Sequence, residues 1–100
     1  MNSITPQGLK QKKDNNEDFQ LIDVREPHEK EIADIGGELI PLATIPEHLD
    51  AIAGDKTVVI YCRSGKRSAQ ATQFVQEALS HKEIYNLEGG ILDWADKIDN

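Results

Sequence analysis

The chain's one cysteine, Cys62, is followed immediately by Arg63, Ser64, Gly65, Lys66, Arg67 and Ser68, so three of its eleven cations fall within five residues of loop. A thiolate is the reactive form of cysteine, and its pKa of about 8.5 in the free residue falls beside cations and helix N-termini. Residues of this kind in this order can therefore perform nucleophilic chemistry on a small anion. The plainer reading is a small buried apolar cysteine, but a core cysteine has no use for so basic a loop.

The flanking elements fit the chemical reading. Before the loop, Val58, Val59, Ile60 and Tyr61 form an apolar run without alternation, which is the pattern of a strand buried on both faces of a parallel sheet. After it, Ala71, Phe74, Val75, Ala78 and Leu79 fall at helical spacing and predict one apolar face. Cys62 is thereby placed at the carboxyl edge of a sheet, where open α/β folds bind their ligands. A tight turn into a helix aims several N–H groups at one point, and Gly65 supplies the backbone freedom for that turn.

The rest of the chain alternates short strands with short helices. Ser3 and Ile4 predict an edge strand, and Thr5 with Pro6 predicts a helix start, with the helix running to about Lys13 and anchored by Leu9. After a charged loop, Phe19 to Val24 predicts a strand and Pro27 to Ile32 a short helix. A strand is expected near Leu39 and Ile40, stopped by Pro41, then a helix from about Pro46 whose inner face is Ile45, Leu49, Ile52 and Ala53. Glu83 to Leu87 predicts the last strand, and Gly89–Gly90 opens a terminal helix with Ile91, Trp94, Ala95 and Ile98 inward. The expected fold class is α/β, a largely parallel central sheet flanked by helices, with residues 1–100 as one domain.

Composition narrows the partners. A formal charge of −7 argues against nucleic acid or an anionic membrane as the general partner, and makes the basic loop a local positive spot. One cysteine allows no intrachain disulfide and no cysteine-based zinc pattern. His28, His48 and His81 follow no ligand spacing and are expected at the surface, so neither metal nor cofactor is expected. Neither a signal peptide nor a membrane span is legible, which makes the cytoplasm the expected location.

The run CRSGKRS after VVIYC, with LIDVREPHE upstream and YNLEGGILDWA downstream, resembles the single-domain rhodaneses, and the likeness extends from about Ile4 to Ile98. It is also close to the rhodanese domain of the adenylyltransferases that activate sulfur-carrier proteins. The resemblance implies a rhodanese-like fold and a sulfurtransferase with Cys62 as nucleophile. The expected donor is thiosulfate or a similar small anion, Arg63 resembling the thiosulfate-using members. The expected acceptor is cyanide, a thiol or a sulfur-carrier protein, since no second cysteine exists to take the sulfur internally. Arg63, Ser64, Gly65, Lys66, Arg67 and Ser68 would bind the donor and the persulfide; Arg63 and Lys66 are expected at the entrance, and Arg67 turned inward, against a carboxylate such as Asp23. Asp23 and Arg25 are expected to hold the loop in place. Two features depart from the family pattern: Lys30 stands where an aromatic is usual, and Ser80–His81 replaces a glycine-containing turn.

Two other classes compete. Some phosphatases share the rhodanese architecture with a loop of cysteine, five residues and arginine, which opens the way to phosphatase or arsenate reductase chemistry; here Arg67 comes one position early, and Ser68 occupies the arginine's place. A non-catalytic rhodanese-like binding module is the third reading, though such modules usually lack the cysteine.

Overall fold

A computed structural model describes residues 1–99. Five parallel strands form one sheet in the order β1 (Asn2–Ile4), β5 (Ile84–Leu87), β4 (Thr57–Tyr61), β2 (Phe19–Asp23) and β3 (Glu38–Leu39). Four helices accompany them: α1 (Pro6–Asp14), α2 (Pro27–Ile32) and α3 (Lys66–Leu79) lie between strands, and α4 (Gly90–Lys97) follows β5. The unbroken apolar run of β4 has its cause here. Val58 and Ile60 pack with Ala71 and Val75 of α3 on one face, whereas Val59 and Tyr61 pack with Leu9 of α1 and with Ile91 and Trp94 of α4 on the other.

Local signals decide most boundaries. Thr5 Oγ1 accepts the Gly8 N–H at 3.0 Å, and Pro6 occupies the first turn of α1, where its missing N–H costs nothing. Leu9 is fully buried. Ser80, ending α3, adopts the left-handed conformation at φ 51° that glycine more often supplies.

Four expectations need correction. No α-helix begins at Pro46; two 3₁₀ segments, Leu42–Glu47 and Leu49–Ala51, occupy this stretch. Pro46 donates no N–H and Gly54 follows soon after, so the segment closes short turns rather than an α ladder. Ile45 and Ile52 are buried nonetheless, with Leu49 and Ala53 packed beside them.

The inner face of α3 is Ser68, Ala71, Thr72 and Val75, whereas Phe74, Ala78 and Leu79 are exposed. Hydropathy misplaced the stripe because this helix is aligned by its polar first turn, which turns Ser68 toward the Cys62 sulfur. Ala95 of α4 is likewise exposed.

His81 is not a surface residue. It is 7% exposed, its Nε2 donating to Ala53 O at 2.8 Å and its Nδ1 accepting the Glu83 N–H at 3.1 Å. His28 and His48 are exposed. Lys30 ties α2 to the next strand's approach through Asp34 at 3.0 Å and Gly37 O at 2.9 Å.

Candidate active site

Cys62 is the first residue past β4, and the loop Arg63–Gly65 folds over it into α3. Gly65 makes this possible: at φ +99° it caps α3 in a conformation that side chains disfavour. Its N–H points back to Cys62 Sγ at 3.1 Å, and the Ser68 N–H and Oγ each lie 3.3 Å from the same sulfur. Burial pushes the Cys62 thiol up, but the Ser68 hydroxyl and the N–H groups of Ser68, Gly65 and Ser64 outweigh it and leave the pKa below the ordinary value. The thiol lies at a cradle of amide donors facing the first turn of a helix.

The cradle is braced from both sides. On one side Gly90, at φ +60°, brings the start of α4 against the loop, so that the Ile91 and Leu92 N–H groups bond to Cys62 O at 2.9 Å and Arg63 O at 3.1 Å. A Cβ at position 90 would stand 2.5 Å from Cys62 O and 2.4 Å from Arg63 O, so a glycine is required there. Beside it, Asn86 of β5 donates Nδ2–H to Gly65 O at 3.3 Å and offers Oδ1 to the Ser68 hydroxyl.

On the other side, Arg67 forms a bidentate pair with Glu29 of α2, at 2.7 and 2.8 Å, rather than with Asp23. The Arg67 hydrogen bond draws the Glu29 carboxyl down to about 2. Asp23 instead binds Arg25 through Nε at 2.9 Å and Nη2 at 2.8 Å, and accepts the Tyr61 hydroxyl at 3.1 Å. The hydrogen bond to Asp23 raises the Arg25 pKa despite burial. Arg25 then donates to Ala33 O at 2.7 Å and Glu29 O at 3.4 Å, satisfying carbonyls at the end of α2. Asp23 and Arg25 thus reach the loop indirectly: they fix α2, and Glu29 on α2 grips Arg67.

The loop residues divide into two sets. Ser68 and Gly65 meet the sulfur, whereas Arg63, Ser64 and Lys66 are exposed, and among the described residues Arg63 and Lys66 join no ion pair. Glu29 and Asn86 escaped sequence reasoning. Glu29 sits in a charged helix that reads as solvated, and Asn86 interrupts an otherwise apolar strand, a signal that could have marked it. Among the described residues no three His, Cys, Asp or Glu side chains gather as a metal site, and no helix is long and apolar enough to cross a membrane.

A parallel α/β sheet with a thiol at its carboxyl edge, held by the amides of a loop that opens a helix, defines a cysteine-loop class of domain. Within that class the chain belongs to the rhodanese-like domain family, whose model matches residues 5–97. It is 38% identical over 96 residues to a sulfurtransferase of Allochromatium vinosum, covering 95% of this chain and 89% of that protein. It is 41% identical over 96 residues to the probable adenylyltransferase/sulfurtransferase MoeZ of Mycobacterium tuberculosis, covering 93% of this chain but only 24% of that longer protein. Among solved structures, the rhodanese-like domain protein of Staphylococcus aureus superposes with a TM-score of 0.86 at 31% identity, over 98% of this chain and 95% of that one.

Proposed function

We propose that the protein is a sulfurtransferase that carries a sulfane sulfur from thiosulfate, or a similar small anion, to a thiophilic acceptor through a persulfide on Cys62. The observation that carries this reading is a single thiol of lowered pKa, held by the Gly65 and Ser68 N–H groups at the helix start. The names of the Allochromatium and Mycobacterium relatives support it.

In the first half-reaction the Cys62 thiolate attacks the outer sulfur of thiosulfate. A new S–S bond forms, the old one breaks, and sulfite leaves with its electron pair. The two negative charges of the donor depart on sulfite, and the thiolate's charge passes to the outer persulfide sulfur. Amide donors facing this region stabilise that charge as it moves. In the second half-reaction a nucleophilic acceptor attacks the outer sulfur, the S–S bond breaks and its electron pair restores the Cys62 thiolate: cyanide would leave as thiocyanate, and a thiolate would leave as its persulfide. Cys62 itself has no exposed surface, so the donor must part the loop to reach it. Arg63 and Lys66, exposed on that loop in an acidic protein, would draw the dianion in.

The Arg67 geometry weighs against the phosphatase reading. A phosphatase arginine must be free to cradle a phosphoryl group, and both Arg67 Nη atoms are engaged by Glu29.

The test is thiocyanate formation from thiosulfate and cyanide. Cys62→Ser is expected to keep its circular dichroism spectrum and lose all turnover, because a serine hydroxyl neither ionises at neutral pH nor forms a persulfide. Turnover surviving in that variant would refute covalent transfer through Cys62.

A further inference from the structure

Ser68 has one hydroxyl proton and two acceptors. Its Oγ lies 3.3 Å from Cys62 Sγ and within hydrogen-bond distance of Asn86 Oδ1, and a hydroxyl donates in one direction at a time. The far end of Asn86 decides which way its amide faces. Gly65 O can only accept, so the amide NH₂ must face it, at 3.3 Å, and the carbonyl oxygen must face Ser68. Asn86 is 7% exposed and pairs with Ile60 in the sheet, so strand register rather than a mobile loop holds it there. Among the described residues the Ser68 hydroxyl is the only donor to Asn86 Oδ1, and a buried carbonyl oxygen is costly to leave unpaired.

We propose that Asn86 is a positioning residue that sets the direction of the Ser68 proton, drawing it away from Cys62 Sγ in the thiol and persulfide states and yielding it to the free thiolate. In the thiol state the Cys62 S–H donates to Ser68 Oγ, and Ser68 donates onward to Asn86 Oδ1, so every group is paired. When Cys62 loses its proton to solvent, the hydroxyl rotates to Sγ and strips Asn86 of its donor. The persulfide statement rests on the function proposed above; there the charge lies on the outer sulfur, Sγ no longer needs the hydroxyl, and the proton returns to Asn86. Asn86 thus opposes the free thiolate and favours the sulfur-loaded enzyme, while the Ser68 proton never leaves its oxygen.

Other charges surround this triad. They are Arg63 and Lys66 in the loop, Arg67 on α3 with its partner Glu29 on α2, the Asp23–Arg25 pair at the end of β2, Glu88 between β5 and α4, and Asp93 in the first turn of α4. Among the described residues none of their side chains bonds to Cys62 Sγ, Ser68 Oγ or the Asn86 amide. Substitution at position 86 therefore leaves them in place.

The experiment is an ultraviolet titration of the thiolate, which reports Cys62 alone because the chain has one cysteine, with Cys62→Ser as the subtracted blank. Asn86→Leu removes the acceptor and should lower the midpoint by about 0.5–1 pH unit, the worth of one hydrogen bond. Asn86→Asp supplies a stronger, charged acceptor and should raise it. Both variants lose the bond to Gly65 O, so a role limited to holding the loop would move both midpoints the same way. In a Ser68→Ala background, where there is no proton to redirect, Asn86→Leu should produce no further fall. If Asn86→Leu does not fold, Asn86→Ala carries the same expected sign. Shifts of the same sign in the Leu and Asp variants, or a Leu shift undiminished without Ser68, would overturn the proposal. Because the titration reads ionisation and not turnover, it is independent of whether thiosulfate is the donor.

Discussion

Two acidic groups are buried side by side at the carboxyl edge of the sheet, and they are held by opposite means. Asp23, at the end of β2, meets a full guanidinium charge from Arg25, together with the Tyr61 hydroxyl and the Arg25 N–H. Cys62, just past the neighbouring strand, meets dipoles: the N–H groups of Gly65, Ser68 and Ser64 and the Ser68 hydroxyl. A formal countercharge fixes an anion's charge and position together, which suits a structural carboxylate. Dipoles converge without cancelling the charge, which suits the proposed transfer, in which the charge passes from Sγ to an outer sulfur. The adjacent residues Tyr61 and Cys62 point to opposite faces of β4, and this alternation keeps the two environments apart. Burial, followed by the charge of Asp23, raises the Tyr61 pKa, so its phenol remains a neutral donor to the carboxylate.

Breaking the charged side should have the largest effect on stability. Arg25→Ala leaves Asp23 fully buried without its countercharge and frees the carbonyls at the end of α2. A loss of about 3–5 kcal/mol is expected, measured by denaturant unfolding. A loss below about 1 kcal/mol would mean that the pair is not a structural lock.

The strut between the two regions should show a smaller effect with a defined pH window. Glu29 falls from 4.5 to about 2 on folding, chiefly through its hydrogen bond to Arg67. A carboxylate whose folded pKa is depressed stabilises the native state above its unfolded pKa, and that contribution disappears as pH falls through the folded value. The Glu29–Arg67 contribution should therefore be complete above about 4.5 and fade toward about 2. After allowance for solvent around the partly exposed Arg67, it amounts to about 1–2 kcal/mol. Glu29→Gln should lose this stability at neutral pH and show a flatter stability curve across that window. An unchanged slope would show that the pair is already broken in solution.

The smallest effect should come from the entrance cations. Replacing Arg63 or Lys66 by alanine should raise the Michaelis constant for thiosulfate about fivefold at low salt, with little change in turnover, an effect of about 1 kcal/mol that screening removes at high salt. Unaltered kinetics at low salt would assign these cations to docking of an acidic sulfur-carrier partner instead.

Periodicity and loop composition made the central unit legible, because an apolar strand, a basic loop and a helix each carry a local signal. Position relative to the sheet was equally clear, and with it Cys62, Gly65 and Ser68 came into place. The bracing was harder to read, since it depends on pairs far apart in sequence. Nothing local distinguishes Glu29 from its neighbours, and Arg67 was expected against a carboxylate such as Asp23. The Gly89–Gly90 pair announced a turn, but not that α4 would donate to Cys62 and Arg63 carbonyls. His81 was misplaced for a similar reason, its two ring partners coming from separate turns.

The most direct test of dipole-held, charge-following chemistry is the mass of the intact protein after incubation with thiosulfate under non-reducing conditions. The expected result is a gain of one sulfur atom, absent from Cys62→Ser and reversed by cyanide. An unchanged mass in the folded wild-type protein would contradict the account.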